Sequence, residues 1–165
     1  MKKFKEKLHI YKNKKILITG HTGFKGSWLS FWLNSLGAKI YGISNNIPTK
    51  PSFFKVCGVD KFSKSFFFNI KNNIKLKKTI NKIKPDFIFH LAAQSLVSKS
   101  YEDPNNTWET NLTGTKNILE SLLDYKNQCY VIIITSDKCY KNIETHRPYN
   151  EKDILGGVDP YSASK

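Results

Sequence analysis

At 165 residues the chain can bury one hydrophobic core and no second one of similar size, and its apolar fraction of 39% is that of an ordinary globular protein. No apolar run nears the ~20 residues of a membrane span, and the basic N-terminus lacks the apolar core of a secretory signal. A net charge of +14 invites a nucleic-acid reading, but among 27 basic residues only Arg147 is arginine and the lysines are scattered, so the bidentate readers of bases and phosphates are missing.

Residues 1–14 read as a solvated basic leader carrying Lys2, Lys3, Lys5, Lys7, Lys12 and Lys14. One dinucleotide-binding domain is expected over 15–165. Ile16-Leu17-Ile18-Thr19, ending on glycine, reads as a buried strand. A helix follows from about Phe24 to Leu36, with Trp28, Leu29, Trp32, Leu33 and Leu36 at helical spacing on one face; the spacing places both tryptophans in the core. Gly37 closes it. Lys39 to Ile43 is the second strand. A weakly patterned stretch with turns at Pro48 and Pro51 leads to a third strand, Ser65 to Phe68. Asn73 to Lys84 is predicted as a helix with Ile74, Leu76, Ile80 and Ile83 inward, broken by Pro85 before the apolar run Phe87 to Leu91. A longer helix, from about Asn105 to Tyr125, carries Leu112, Ile118, Leu119, Leu122 and Leu123. Tyr130 to Ile134 is the most strand-like run.

Strands alternating with helices, and lacking period-two polarity, predict a doubly wound α/β fold: a parallel sheet with helices on both faces. Ligands bind such sheets beyond the carboxyl ends of the strands. Gly20, Gln94 and Ser136-Asp137-Lys138 all fall there. Cys57, Cys129 and Cys139 are widely spaced and odd in number, so neither a disulfide framework nor a metal site is expected, which suits a reducing cytoplasm.

Gly20-His21-Thr22-Gly23-Phe24-Lys25-Gly26 joins the first strand to the first helix. Glycines at this spacing permit a tight turn, close approach of a pyrophosphate and close helix packing, while the helix N-terminus offers free N–H groups. No Gly-Lys-Ser/Thr triplet closes the loop, so it is not a P-loop. The carboxylate that would hold a ribose diol at the end of strand two is replaced by Ser44-Asn45-Asn46. Neutral groups there hold a ribose without separating NAD from NADP. Tyr161 and Lys165 stand at i and i+4, one face of a helix, where an ammonium favours the phenolate. Such a tyrosine removes a hydroxyl proton as hydride leaves the same carbon.

These segments, with His90-Leu91-Ala92-Ala93-Gln94, Thr135 to Tyr140 and Asp159-Pro160-Tyr161-Ser162, resemble the extended short-chain dehydrogenases/reductases over about Lys15 to Lys165. Within them the chain is most similar to the nucleotide-sugar 4,6-dehydratases that act on CDP-glucose. The resemblance implies NAD as cofactor and a nucleotide-diphosphate hexose as substrate, converted to a 4-keto-6-deoxy sugar. It implies cofactor contacts from Gly20, Thr22, Gly23, Phe24, Lys25, Gly26, Ser44, Asn69, Ile70, Leu91, Ala92, Ala93, Gln94, Asn111, Tyr161 and Lys165. Ser136 would bond the sugar 4-hydroxyl, Tyr161 would be the base at C4 supported by Lys165, and Asp137 would protonate the departing 6-hydroxyl. Lys138 stands where relatives acting on dTDP-glucose carry glutamate; it is either the C5 base, if substantially neutral, or a phosphate or structural contact. Asn69 replaces the aspartate usual after strand three, and its amide oxygen still accepts a hydrogen bond.

Family members continue past the position of Lys165 with more sheet and a sugar-nucleotide domain. The expectation is therefore an NAD-binding portion that binds dinucleotide weakly and turns over nothing alone, from a cytoplasmic parent that is a homodimer. No nucleic-acid or membrane partner is expected. The alternatives are a GDP-mannose or dTDP-glucose dehydratase, an epimerase of the same family, and a non-catalytic dinucleotide-binding module.

Overall fold

The computed structural model describes residues 8–144 and 146–165, so half of the expected leader lies outside the described residues. Its remainder holds a short 3-10 turn, His9–Tyr11. The elements that follow are β1 (Lys15–Thr19), α1 (Phe24–Ser35), β2 (Lys39–Ser44), α2 (Phe53–Val56), α3 (Val59–Phe62), β3 (Lys64–Phe67), α4 (Asn73–Ile83) and β4 (Phe87–His90). Then come α5 (Val97–Glu102), α6 (Pro104–Trp108), a π-helical segment (Glu109–Thr113), α7 (Gly114–Glu120), β5 (Tyr130–Ile133) and α8 (Pro160–Ser164).

The five strands form one parallel sheet in the order β3-β2-β1-β4-β5. Successive side chains of a strand point to opposite faces, and the two cores follow that rule. Ile16 and Ile18 of β1 join Leu33, Ala38, Ile40, Phe87 and Phe89 beneath α1. Leu17, between them, joins Ile43, Leu76, Ile80, Ile83, Ile88 and Ile118 beneath α4 and α7. The doubly wound expectation holds. The chain winds outward from β1 to β3 and then crosses back to β4, so the switch point lies between β1 and β4.

Several expectations within this frame are corrected. The tryptophans of α1 are not core: Trp28 and Trp32 are 49% and 42% exposed, and the buried face is Gly26, Ser27, Ser30 and Leu33. Small residues bring the helix close to the sheet, and helical spacing alone cannot tell that face from the aromatic one. Ile74, expected inward, is 85% exposed, and Thr79 takes the buried place beside Ile80. The helix expected from Asn105 to Tyr125 is interrupted by the π-helical segment and ends at Glu120, with Ile118 buried but Leu112, Leu119 and Leu123 on the surface. The stretch after Pro51 holds two short helices, the first capped by Ser52 accepting from the Lys55 amide. Among the described residues no helix is long and apolar enough to cross a membrane.

Candidate active site

Gly20 follows β1 with φ of +74°, a conformation that glycine adopts freely, and an added Cβ would meet the Ala92 amide nitrogen at 2.9 Å. Its amide donates to Ile43 O at 2.8 Å, and the Gly23 amide closes the turn onto Gly20 O at 3.1 Å. An added Cβ on Gly26, in the first turn of α1, would collide with Gly20 O. The third glycine thus lets the helix N-terminus sit directly on the loop, where its free amides face the cleft.

Beneath the loop His21 is fully buried. Its Nδ1 bonds Ser44 Oγ at 2.9 Å and its Nε2 bonds Ser65 Oγ at 2.8 Å, so one imidazole ties the loop to β2 and β3. Burial pushes its pKa down to about 4, against a smaller upward pull from the Ile43 backbone. Ser44 Oγ also accepts from the Thr22 amide at 3.3 Å, and Thr22 Oγ1 donates to Asn46 O at 2.6 Å. The Ser44 hydroxyl is therefore engaged inside the protein, and Asn45 and Asn46 are the exposed polar groups at that corner.

These elements border an open cleft of about 650 Å³ above the carboxyl ends of the strands. Of the residues expected to contact a cofactor, every one lines it except Asn111. Asn69 does so with its Oδ1 already accepting from the Lys71 amide at 3.0 Å. Asn111 instead is a clamp. Its Oδ1 accepts from the Gln94 amide at 2.8 Å, and its Nδ2 donates to Gln94 O at 3.1 Å and to Ser164 Oγ at 2.8 Å, tying the loop after β4 to α8. Asn45, Asn46, Pro48, Ser95, Asn106, Thr110, Ile134 and Thr135 also line the cleft. A nearby strand end could have signalled all but Asn106 and Thr110, which come from α6 and the π-helical segment.

Tyr161 and Lys165 reach the same cleft from α8. Asp159 caps that helix, accepting from the Ser162 amide at 2.9 Å and from its hydroxyl. Lys165 Nζ donates to Ile134 O at 3.0 Å. Burial lowers the pKa of this ammonium; Lys25 lowers it further and Cys139 opposes the shift. Ser136, Asp137 and Lys138 do not line the cleft. They form the turn after β5 that packs against α8, with Ser136 Oγ donating to Asp137 Oδ1 at 3.1 Å and accepting from the Lys138 amide at 3.2 Å. Between that turn and α8 the chain is braced by Tyr140 stacked on Tyr149 at 4.9 Å and by Arg147 forking onto Asp153 at 2.6 and 2.8 Å. The guanidinium bonds, with the Asn150 amide, hold the Asp153 carboxyl down at about 2. Among the described residues no three His, Cys, Asp or Glu side chains gather as metal ligands.

Known proteins resemble the chain in sequence and in fold. The chain is 44% identical over 157 residues to the CDP-glucose 4,6-dehydratase of Salmonella typhimurium, covering 95% of this chain and 44% of that protein. It is 31% identical to the CDP-paratose 2-epimerase of Salmonella typhi, over 84% of this chain and 41% of that one. Its fold superposes on the UDP-glucose 4-epimerase of Thermus thermophilus, solved in complex with NAD, with a TM-score of 0.79 and 27% identity, over 92% of this chain and 47% of the other. The chain thus spans somewhat under half the length of these relatives. Residues 17–165 match the family described as GDP-mannose 4,6 dehydratase, and the chain belongs to that family.

Proposed function

We propose that the chain is the NAD-binding part of a nucleotide-sugar 4,6-dehydratase whose substrate is CDP-glucose and whose product is CDP-4-keto-6-deoxyglucose. The observation that carries this reading is the convergence of the glycine loop, Tyr161 and Lys165 on one cleft at the switch point of the sheet. The 44% identity to a CDP-glucose enzyme favours that nucleotide sugar over the GDP and dTDP alternatives.

The cradle fits a dinucleotide, because Gly20 and Gly26, where an added Cβ would strike the Ala92 and Gly20 backbone, let the loop fold tightly and bring the N-terminus of α1 to the cleft. The amides of Thr22 to Gly26 would meet the pyrophosphate, and Asn45, Asn46 and Asn69 would hold the adenosine end by neutral hydrogen bonds. When bound, NAD supplies the acceptor for a hydride and later its return. Tyr161 takes the proton of the sugar 4-hydroxyl, and the Lys165 ammonium stabilises the phenolate. Ser136 bonds the same hydroxyl. The ketone formed at C4 acidifies the C5 proton, for which Lys138 is the candidate base, and Asp137 gives a proton to the departing 6-hydroxyl. An epimerase needs no acid at the 6-hydroxyl, so Ser136-Asp137-Lys138 separates this reading from the epimerase relative.

The remaining assignments are that the parent is a cytoplasmic homodimer with no nucleic-acid partner, and that the chain by itself binds NAD without turnover. Calorimetric titration with NAD, then incubation with CDP-glucose and NAD read by 4-keto sugar absorbance in alkali, tests both. Saturable NAD binding with no keto sugar is expected. Failure to bind NAD overturns the cofactor reading, and turnover of CDP-glucose overturns the inert reading. A keto sugar formed from GDP-mannose or dTDP-glucose alone overturns the substrate.

A further inference from the structure

The far corner of the cleft has a polarity that its residue types do not by themselves announce. With a pyrophosphate at the N-terminus of α1 and a ribose at the end of β2, the base of a dinucleotide runs on toward the end of β3, the outermost strand on that side. Phe68, Asn69 and Ile70 line the cleft there. Asn106 and Thr110 line it as well, and Lys71 joins Asn106 to that corner.

Lys71 sets the orientation of both side-chain amides. Its backbone N–H donates to Asn69 Oδ1 at 3.0 Å, and its ammonium donates to Asn106 Oδ1 at 3.3 Å and to Glu109 Oε2 at 2.7 Å. Thr110 Oγ1 donates to Asn106 Oδ1 at 3.4 Å. A backbone N–H and an ammonium can only donate, so neither asparagine can be turned over without setting donor against donor. Each oxygen is therefore held toward Lys71, and neither Nδ2 has a protein partner among the described residues. A carboxylate at position 69 would give one oxygen to the Lys71 amide and keep the other as an acceptor. An amide tied in the same way has a donor in that second place.

We infer that this corner reads acceptors, so that the dinucleotide held most tightly carries a 6-oxopurine rather than adenine. Adenine presents a donor at N6 beside the acceptor N7, whereas hypoxanthine presents acceptors at both O6 and N7. The Nδ2 groups of Asn69 and Asn106 match the second edge and oppose the N6 amino group of the first. A polar group brought against its like loses its bond to water and gains none in return. Selection of the base rests on the NAD reading proposed for this cleft and names which purine the same cleft prefers.

The full chain is titrated calorimetrically with NAD and, separately, with nicotinamide hypoxanthine dinucleotide. The hypoxanthine form is expected to bind about fivefold more tightly. Asn69→Asp should reverse the order and favour NAD by about tenfold, because its second oxygen accepts from the N6 amino group and repels O6. Should circular dichroism show that this variant does not fold, Asn106→Asp decides, and it should move the ratio of the two affinities in the same direction. NAD bound as tightly as the hypoxanthine form, or more tightly, by the unaltered chain overturns the inference and leaves the cofactor reading standing. A ratio that the deciding variant leaves unchanged does the same. Binding of neither dinucleotide overturns both.

Discussion

The two ends of the cleft are supported in different ways. β1 is buried along four of its five residues and has strands on both sides, and the loop it feeds is pinned from below by His21. β5 has one neighbour, exposes Tyr130 and is half-buried beyond it, and α8 after it is five residues long. Groups that would cradle a cofactor are thus fixed by the core. Groups proposed to move protons rest on a cap, a clamp and a brace. Binding and chemistry should therefore respond differently to the same insult.

Acid should break the cofactor end first. His21 and His90 are both buried, and burial lowers each from 6.5 to about 4, with Lys165 adding to the shift at His90. The unfolded chain then binds more protons than the folded one between those values, so stability is full above about pH 6.5 and falls as the pH drops toward 4. The expected loss is about 3 kcal/mol for each histidine. Urea midpoints measured from about pH 7 to 4 check this. A His21→Gln and His90→Gln variant should show a much flatter profile, and an equally steep one would place the acid sensitivity elsewhere.

Gly26→Val sharpens the contrast from the same side. The branched side chain meets Gly20 O and the His21 backbone, so a destabilisation of about 2–3 kcal/mol is expected, with dinucleotide binding lost to calorimetry. Retained NAD affinity would mean that the loop does not hold the pyrophosphate. Asp159→Ala should have the smallest effect, about 1 kcal/mol and confined to the other end. Amide exchange should quicken in α8 while β1 and α1 keep their protection; a uniform change would show that the two ends open together.

Much of the cofactor end was legible because its signals are local. Gly20, Gly23 and Gly26 fall within one span of seven residues, and the apolar runs of β1, β2, β4 and β5 announce a covered parallel sheet. The aromatic face of α1 was not legible, because Trp28 and Trp32 keep the spacing of a buried face while the residues that are buried, Gly26, Ser27 and Ser30, carry no hydrophobic signal. Asn111 bonds partners 17 and 53 residues away, and His21 bonds partners 23 and 44 residues away, so neither role can be read from neighbouring positions. The placing of Ser136, Asp137 and Lys138 beside the cleft rather than in it depends on how a turn packs against α8, which spacing does not specify.

The imidazole of His21 also lies so close to Gly42 that an added Cβ there would overlap the ring. The two positions therefore carry a shared inheritance. Alanine at 42 is barred while histidine stands at 21, and becomes admissible only in a chain whose residue 21 is smaller, with Ser44 and Ser65 then both losing the imidazole that joins them. Descent through either change alone passes through a poorly folded intermediate. The loop and the strand beneath it should accordingly drift as a block, constrained by mutual accommodation even where no ligand touches them.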